Sequence, residues 1–399
     1  MSEQDWEDIA KNFDSLQQSL NSVFIEREEP IEGILVALIA KEHVILLGPP
    51  GTAKTMMTRA ISSAFDLKHF WVLLTRFSTP DEVFGALDIK AFLEDHVFKR
   101  KITNMFPEAE VAHVDEIFKA NSSMLNSFLT AINERIFFNP EPIEIPLVTL
   151  IGTSNEIPRE KELAALYDRF LLRYVTPYIN DTNNFISMLK HSDLKGIENY
   201  LSAFATSNSK LLEECWEILP SVEIPDQIYE SLAELRTSLF TNGVIVSDRR
   251  MKQALKVLRA KALLKGRGRV IEDDISILRH VLWTFPDERG TVESLVLKIS
   301  NPLLVQAKEY LDALEEVAGD LFKKYEVVGK DISKQSELIL QASEVATKVK
   351  ETISKIKAIR KTMVDQGKST KEIDSYLARA RSIQQKIVKE IMGMELDEE

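Results

Sequence analysis

The sequence predicts an α/β fold, a parallel sheet with helices on both faces, followed by an all-α region and a C-terminal helical bundle. Three observations predict it. Short apolar strands alternate with helices as far as about Tyr178, the pattern of a parallel sheet covered on both faces. Over residues 184–285 the strand signal fades and helices are broken at Gly196, Pro220, Pro225, Gly243 and the Gly266–Gly268 pair. After Pro302 no further proline occurs, and apolar residues recur at helical spacing with charges between them. The expected boundaries are 1–178, 179–290 and 291–399.

The elements follow in order. Residues 1–30 read as an acidic helix and a connector, and Ile31 to Ala40 as an apolar helix. HVILLG (43–48) is a strand ending in glycine, with a helix from Lys54 to about Phe65. WVLLTRF (71–77), VAHVDEI (111–117) and LVTLIGTSN (147–155) are further strands, with a helix from about Ser122 to Arg135 after the second of these. In the last region Leu338, Ala342, Val345, Val349, Ile356 and Met363 form one apolar stripe. Ile373, Tyr376, Ala380, Ile383, Ile387 and Ile391 form another. Gly367-Lys368-Ser369 marks a turn between two of the helices, and Gly329 lies near an earlier break. Stripes of only about four heptads fit a three-helix bundle better than an extended coiled coil.

Composition narrows the function classes. The single cysteine, Cys215, forms no internal disulfide, and no Cys or His cluster has metal-ligand spacing. A reducing, cytoplasmic setting follows as the expectation. The N-terminus MSEQDWEDIAKNF is acidic, unlike a signal or transit peptide, and the longest apolar run, Ile34 to Ala40, is too short to span a bilayer. The net charge of −12 counts weakly against nucleic-acid binding. It is weak because residues 1–32 hold nine acids and two bases, more than half of the excess. His113 reads as a core position; Trp71, Trp216 and Trp283 read as core packing.

The chemistry is written at 48–55. Gly48-Pro49-Pro50-Gly51-Thr52-Ala53-Lys54-Thr55 lies between a strand and a helix. Its backbone N–H groups suit phosphate oxygens, and the helix N-terminus adds a favourable dipole. Lys54 then reaches the β- and γ-phosphates of ATP, and Thr55 ligates Mg²⁺. Ala53 stands where the general pattern has glycine, which is tolerable if no positive φ is needed there. Asp115, at the end of an apolar strand, completes the Mg²⁺ ligation, and the adjacent Glu116 polarises the attacking water. Asn155 ends the next strand, on the edge of parallel sheets where ligands bind, and helps hold that water. ATP with Mg²⁺ is the only cofactor the residues support.

These runs carry a family pattern. GPPGTAKT (48–55), VDEIFKANSSMLNSFLTAINER (114–135), TSNEIP (153–158), ALYDRFLLR (165–173) and SDRRMKQALKVLRA (247–260) resemble the MoxR family of AAA+ ATPases, most of all its RavA branch. The AKT ending at Ala53 is usual in that family. The resemblance covers about residues 15–290 and implies a P-loop AAA+ core, an all-α lid and a ring, expected as a hexamer. It implies that Arg169 is an arginine finger acting on the neighbouring subunit's γ-phosphate. It implies that Arg249 is the lid's sensor-2 arginine, contacting its own chain's γ-phosphate in cis, with adjacent Arg250 as the alternative. It places Arg27 near the adenine, although Glu26 replaces a usual glycine. Residues 85–107 resemble an insert projecting toward the ring pore, with a basic triplet at Lys99-Arg100-Lys101, and 134–146 resembles a hairpin. RavA-type proteins carry a β-rich insert in the C-terminal bundle; with no strand-rich segment here, none is expected.

The function expected from the resemblance is ATP hydrolysis by a ring that remodels or chaperones a partner, with a von Willebrand factor A domain protein as companion. Two rivals stand beside it: a nucleotide-gated scaffold with slow hydrolysis, and a DNA-acting motor, which the charge and the absence of a helix-turn-helix or zinc motif disfavour.

Overall fold

A computed structural model describes residues 3–119, 122–156, 161–190, 194–328, 332–365, 368 and 370–392. The turn residues Gly367 and Ser369, the break at Gly329 and His191 lie outside these. The chain divides into two compact units, Met1–Val292 and Glu293–Glu399.

In the first unit the strands are β1 (Val44–Leu47), β2 (His69–Leu73), β3 (Val111–Asp115), β4 (Ile136–Phe138), β5 (Pro142–Glu144), β6 (Thr149–Ser154) and β7 (Leu172–Val175). Among the described residues, five of them form one parallel sheet in the order β2-β3-β6-β1-β7, while β4 and β5 make a separate antiparallel hairpin. Strands β1 and β6 are buried throughout, and β3 is buried up to its last residue. Such runs of Val, Ile and Leu are what a sheet covered on both faces requires.

Parallel register aligns the strand ends. Leu47 pairs with Ser154 and Val175, and Val114 with Gly152. Residues 48–55, Asp115 and Asn155 therefore emerge together at the carboxyl end. His43 and Leu171 precede the paired residues Val44 and Leu172 at the amino end.

Helix Glu28–Ala40 is apolar on nearly every side and accordingly buried along most of its length. Gly33 is where the Tyr174 ring of β7 packs, since a Cβ there would stand 2.2 Å from the ring. Lid helix Asp248–Leu264 lies against it. Lys261 pairs with Glu32, Lys265 with Glu32 (3.6 Å) and Asp14 (3.7 Å), and Lys256 with Glu42 (3.2 Å). The N-terminal helix Glu3–Asn21 buries Ile9, Phe13, Leu16 and Leu20.

Three sequence expectations are corrected. Strand β2 begins at His69 and ends at Leu73, not at Phe77, whose side chain is 91% exposed. As an edge strand it leaves Trp71 49% exposed, so Trp71 is not a core residue; Trp283 is fully buried and Trp216 donates to the Leu38 carbonyl (2.9 Å). Strand β7, LRYV, carries an arginine within its apolar run and was not expected as a strand.

The second unit packs helices Pro302–Val328, Ile332–Asp365 and Lys371–Lys386 around one apolar cluster. Both expected stripes enter it, with Ile383 only partly buried. Ion pairs Arg360–Asp374 (2.5 Å) and Arg379–Glu315 (2.7 Å) link the helices. Among the described residues of this unit there is no strand, and none of the chain's described helices is long and apolar enough to cross a membrane.

Candidate active site

At the carboxyl end of the sheet the loop 48–53 turns from β1 into helix Lys54–Ser63. Gly48 is pressed against β7, since a Cβ there would lie 2.3 Å from the Thr176 carbonyl oxygen. Ala53 adopts positive φ (62°), so the condition under which a methyl there would be free of strain is not met. The methyl is carried at a cost of about 1–2 kcal/mol. Gly51 is also left-handed (φ 81°), with nothing near its Cβ position.

The loop is braced from below. Buried Arg27 donates to the carbonyls of Thr52 (3.2 Å), Pro177 (2.6 Å) and Glu26 (2.6 Å). Its guanidinium is thus committed to holding the loop against the segment after β7. Burial lowers its pKa, opposed by the charges of Glu26 and Glu28. Glu26 has φ 58°, the reason a glycine suits this position, and its carboxylate accepts N–H groups from Asn180 (3.1 Å) and Asp181 (3.3 Å). The Thr52 hydroxyl meets the Pro49 carbonyl (3.0 Å) and Thr176 Oγ1 (3.3 Å). Tyr178 donates its hydroxyl to the Pro50 carbonyl (3.3 Å).

Within this frame the expected residues converge. Lys54 Nζ donates to the carbonyls of Gly48 (2.7 Å) and Pro49 (2.8 Å) and lies 3.4 Å from Asn155 Oδ1. Burial lowers the Lys54 pKa, while Asp115 and Glu116 oppose that shift. The Thr55 hydroxyl donates to Asp115 Oδ2 (2.9 Å), and Thr153 donates to the other carboxylate oxygen. Glu116 accepts from Asn155 Nδ2 and from Lys119 Nζ (3.3 Å). It sits at φ 54°, a conformation that non-glycine residues adopt chiefly where the surroundings enforce it.

The donor set fits a hard divalent cation. A threonine hydroxyl and one carboxylate, already in contact, supply oxygen ligands of the kind Mg²⁺ takes alongside phosphates and waters. Sequence reasoning did not single out Thr153, Thr176 or Tyr178. The available signal was a polar residue at the carboxyl end of each strand.

The other expected arginines lie elsewhere. Arg169 ends helix Lys161–Arg169, just before β7, and its Nε is buried without a hydrogen-bond partner. Arg249 is exposed in the first turn of helix Asp248–Leu264, and its charge acts on Glu42, beside the start of β1. Both are at the amino end of the sheet. Strand β1 spans about 13 Å between that end and the chain's own loop. Arg250 is not a free phosphate ligand. It is 4% exposed and donates to the carbonyls of Val281 (2.5 Å), Asp168 (3.3 Å), Phe170 (3.0 Å) and Leu171 (2.9 Å). Burial, reinforced by neighbouring Arg173, lowers its pKa to about 9. Arg100 of the basic triplet pairs with Asp81 and donates to the Gly85 carbonyl (2.6 Å), so it shapes the 85–107 segment, while Lys99 and Lys101 are exposed.

Residues 11–196 match the MoxR domain of the MoxR-vWA-beta-propeller ternary systems, and residues 227–296 match an AAA lid domain. An uncharacterized protein of Methanocaldococcus jannaschii is 35% identical over 93% of this chain and 98% of its own length. The chain belongs to the MoxR family of AAA+ proteins. A second uncharacterized protein of that archaeon is 39% identical, covering 78% of this chain and 82% of its own. Protein MoxR of Paracoccus denitrificans is 22% identical over 74% of this MoxR-family chain and 94% of its own. A crystal structure of a candidate ATPase from Cytophaga hutchinsonii shares the fold with a TM-score of 0.58. It is 16% identical and covers 74% of this chain and 96% of its own.

Proposed function

We propose that this MoxR-family protein hydrolyses ATP to ADP and phosphate in an oligomeric ring, expected as a hexamer, and uses the cycle to remodel a partner protein. The observation that carries the reading is the junction at the carboxyl end of the sheet. There Lys54, the Thr55–Asp115 pair and the Glu116–Asn155 pair converge on one braced loop.

Each group has a part. Backbone N–H groups of 51–55 and the helix N-terminus bind phosphate oxygens. Lys54, drawn from the loop carbonyls, offsets phosphate charge. Thr55 and Asp115 hold Mg²⁺, which when bound neutralises charge on the transferring phosphoryl group. Glu116 takes a proton from the attacking water, and Asn155 orients Glu116. Arg169 and Arg249 lie too far from their own loop and serve the loop of the adjoining subunit. Guanidinium groups suit that task because they stay charged and donate in a fixed fork. The site is thus completed only by a neighbour.

The motif runs that resemble the RavA branch support the same reading. A von Willebrand factor A domain partner is supported by the matched domain's description. The lone buried Cys215, its thiol pushed up to about 12 by burial, is in keeping with a reducing cytoplasm.

Turnover and nucleotide binding test this together. Lys54→Ala is expected to lose ATP binding. Glu116→Gln is expected to bind ATP, stop turning over and remain assembled, read by native mass measurement. ATP turnover by Glu116→Gln at the parent rate would refute the assignment.

A further inference from the structure

Two buried arginines fasten the Arg169 turn to the lid. Arg250, on the lid helix, donates to the Asp168 carbonyl and side chain on one side of Arg169 and to the Phe170 and Leu171 carbonyls on the other. Its Nε holds the lid carbonyl of Val281 (2.5 Å). Arg173, on β7, is fully buried and repeats the pattern. It donates to the Tyr167 (3.4 Å) and Phe170 (3.2 Å) carbonyls and to the lid carbonyl of Trp283. Both reach the Asp168 carboxylate, Arg250 at 3.2 Å and Arg173 at 3.7 Å.

Burying two guanidinium groups beside one half-exposed carboxylate is costly, and fold stability alone is met as well by apolar packing. What the arrangement fixes is the spacing between Arg169 and Arg249, the residue before Arg250. A change in lid position cannot leave the Arg169 turn behind.

We infer that Arg250 is a positioning residue that makes lid and Arg169 turn one rigid piece, so that the lid of one subunit sets the aim of the arginines serving the next subunit's ATP. This rests on the trans-site reading above. The energetic logic is orientation: a displacement of about 1 Å at a catalytic group costs on the order of 10²-fold in rate. Arg250 touches no nucleotide in this arrangement, so its loss acts through Arg169 and on the neighbour's turnover.

The test uses the full chain. Arg250→Met is expected to lower kcat on the order of 10²-fold while its own affinity for a fluorescent ATP analogue stays within about twofold. Mixing it with Glu116→Gln subunits, whose arginines are intact, restores turnover at the Arg250→Met sites. Asp168→Asn, a change at a half-exposed side chain, serves where Arg250→Met unfolds. It is expected to show a smaller loss with the same rescue. The Arg169→Ala and Glu116→Gln mixture runs alongside. If that pair recovers and neither Arg250→Met nor Asp168→Asn does, the positioning role is wrong. If that pair fails to recover, the trans site itself is wrong and this inference falls with it. Turnover of folded Arg250→Met at the parent rate also overturns it.

Discussion

The two ends of the central sheet differ in how their functional side chains are held. At the carboxyl end, around a loop braced through its carbonyls, they also meet one another: Thr55 and Thr153 on Asp115, Asn155 on Glu116, Lys54 beside Asn155. At the amino end, side chains meet backbone: Arg173 and Arg250 bind carbonyls of 167–171 and 281–283, and His43 bridges β6. The first arrangement makes a site that one chain nearly completes. The second is a mount that fastens the turn carrying Arg169 to the lid helix carrying Arg249. The two ends lie about 13 Å apart along β1, and the trans-site proposal assigns each a part of the chemistry.

Variants at each end separate mount from site. Arg173→Met removes the side-chain donor to the Tyr167 and Trp283 carbonyls and one of two donors to that of Phe170, and is expected to cost about 2–4 kcal/mol in urea unfolding. A cost under about 1 kcal/mol would show that the mount is not held this way. Gly48→Ala forces the Thr176 carbonyl, 2.3 Å from the new Cβ, to move. It is expected to weaken ATP binding about 10–100-fold, read by titration with a fluorescent nucleotide, with less effect on unfolding than Arg173→Met.

His43 gives the amino end a pH signature. Its Nδ1 accepts the Leu150 N–H (3.0 Å), and burial, aided by Arg135 and opposed by the Ile132 carbonyl, holds its pKa at about 3. The unfolded imidazole protonates near pH 6.5 while the folded one does not. Stability from this group is therefore full above about pH 6.5 and declines toward pH 3, by at most about 1.4 kcal/mol per pH unit. The stability gap between the parent and His43→Gln should be largest at pH 7 and shrink by pH 5. A gap independent of pH contradicts the assignment. Smallest of all, Ala53→Gly relieves a left-handed alanine but adds about 0.5–1 kcal/mol of chain entropy to be lost on folding, and should raise stability by less than about 1 kcal/mol in thermal unfolding.

The contrast also explains what the sequence made legible. GPPGTAKT and VDE were readable because the chemistry sits in contiguous residues whose types are diagnostic. The stripes of the C-terminal unit were readable because the helical period repeats over many turns. Arg250 and Arg173 were not, because their partners are carbonyls and any residue supplies a carbonyl. Strand β7 was hidden by Arg173 within four residues, and β2 was drawn too long because edge-strand residues such as Trp71 and Leu73 look like core while standing exposed. Ala53 shows the limit of a local rule: the loop takes positive φ without glycine.

The measurement closest to the central claim is ATP turnover by Arg169→Ala, alone and mixed with Glu116→Gln. The account predicts that each alone is inactive, with Arg169→Ala down by about 10³–10⁵-fold, and that the mixture recovers turnover because intact arginines of one chain serve the intact loop of the other. Normal turnover by Arg169→Ala alone, or a mixture as inactive as its components, would contradict it.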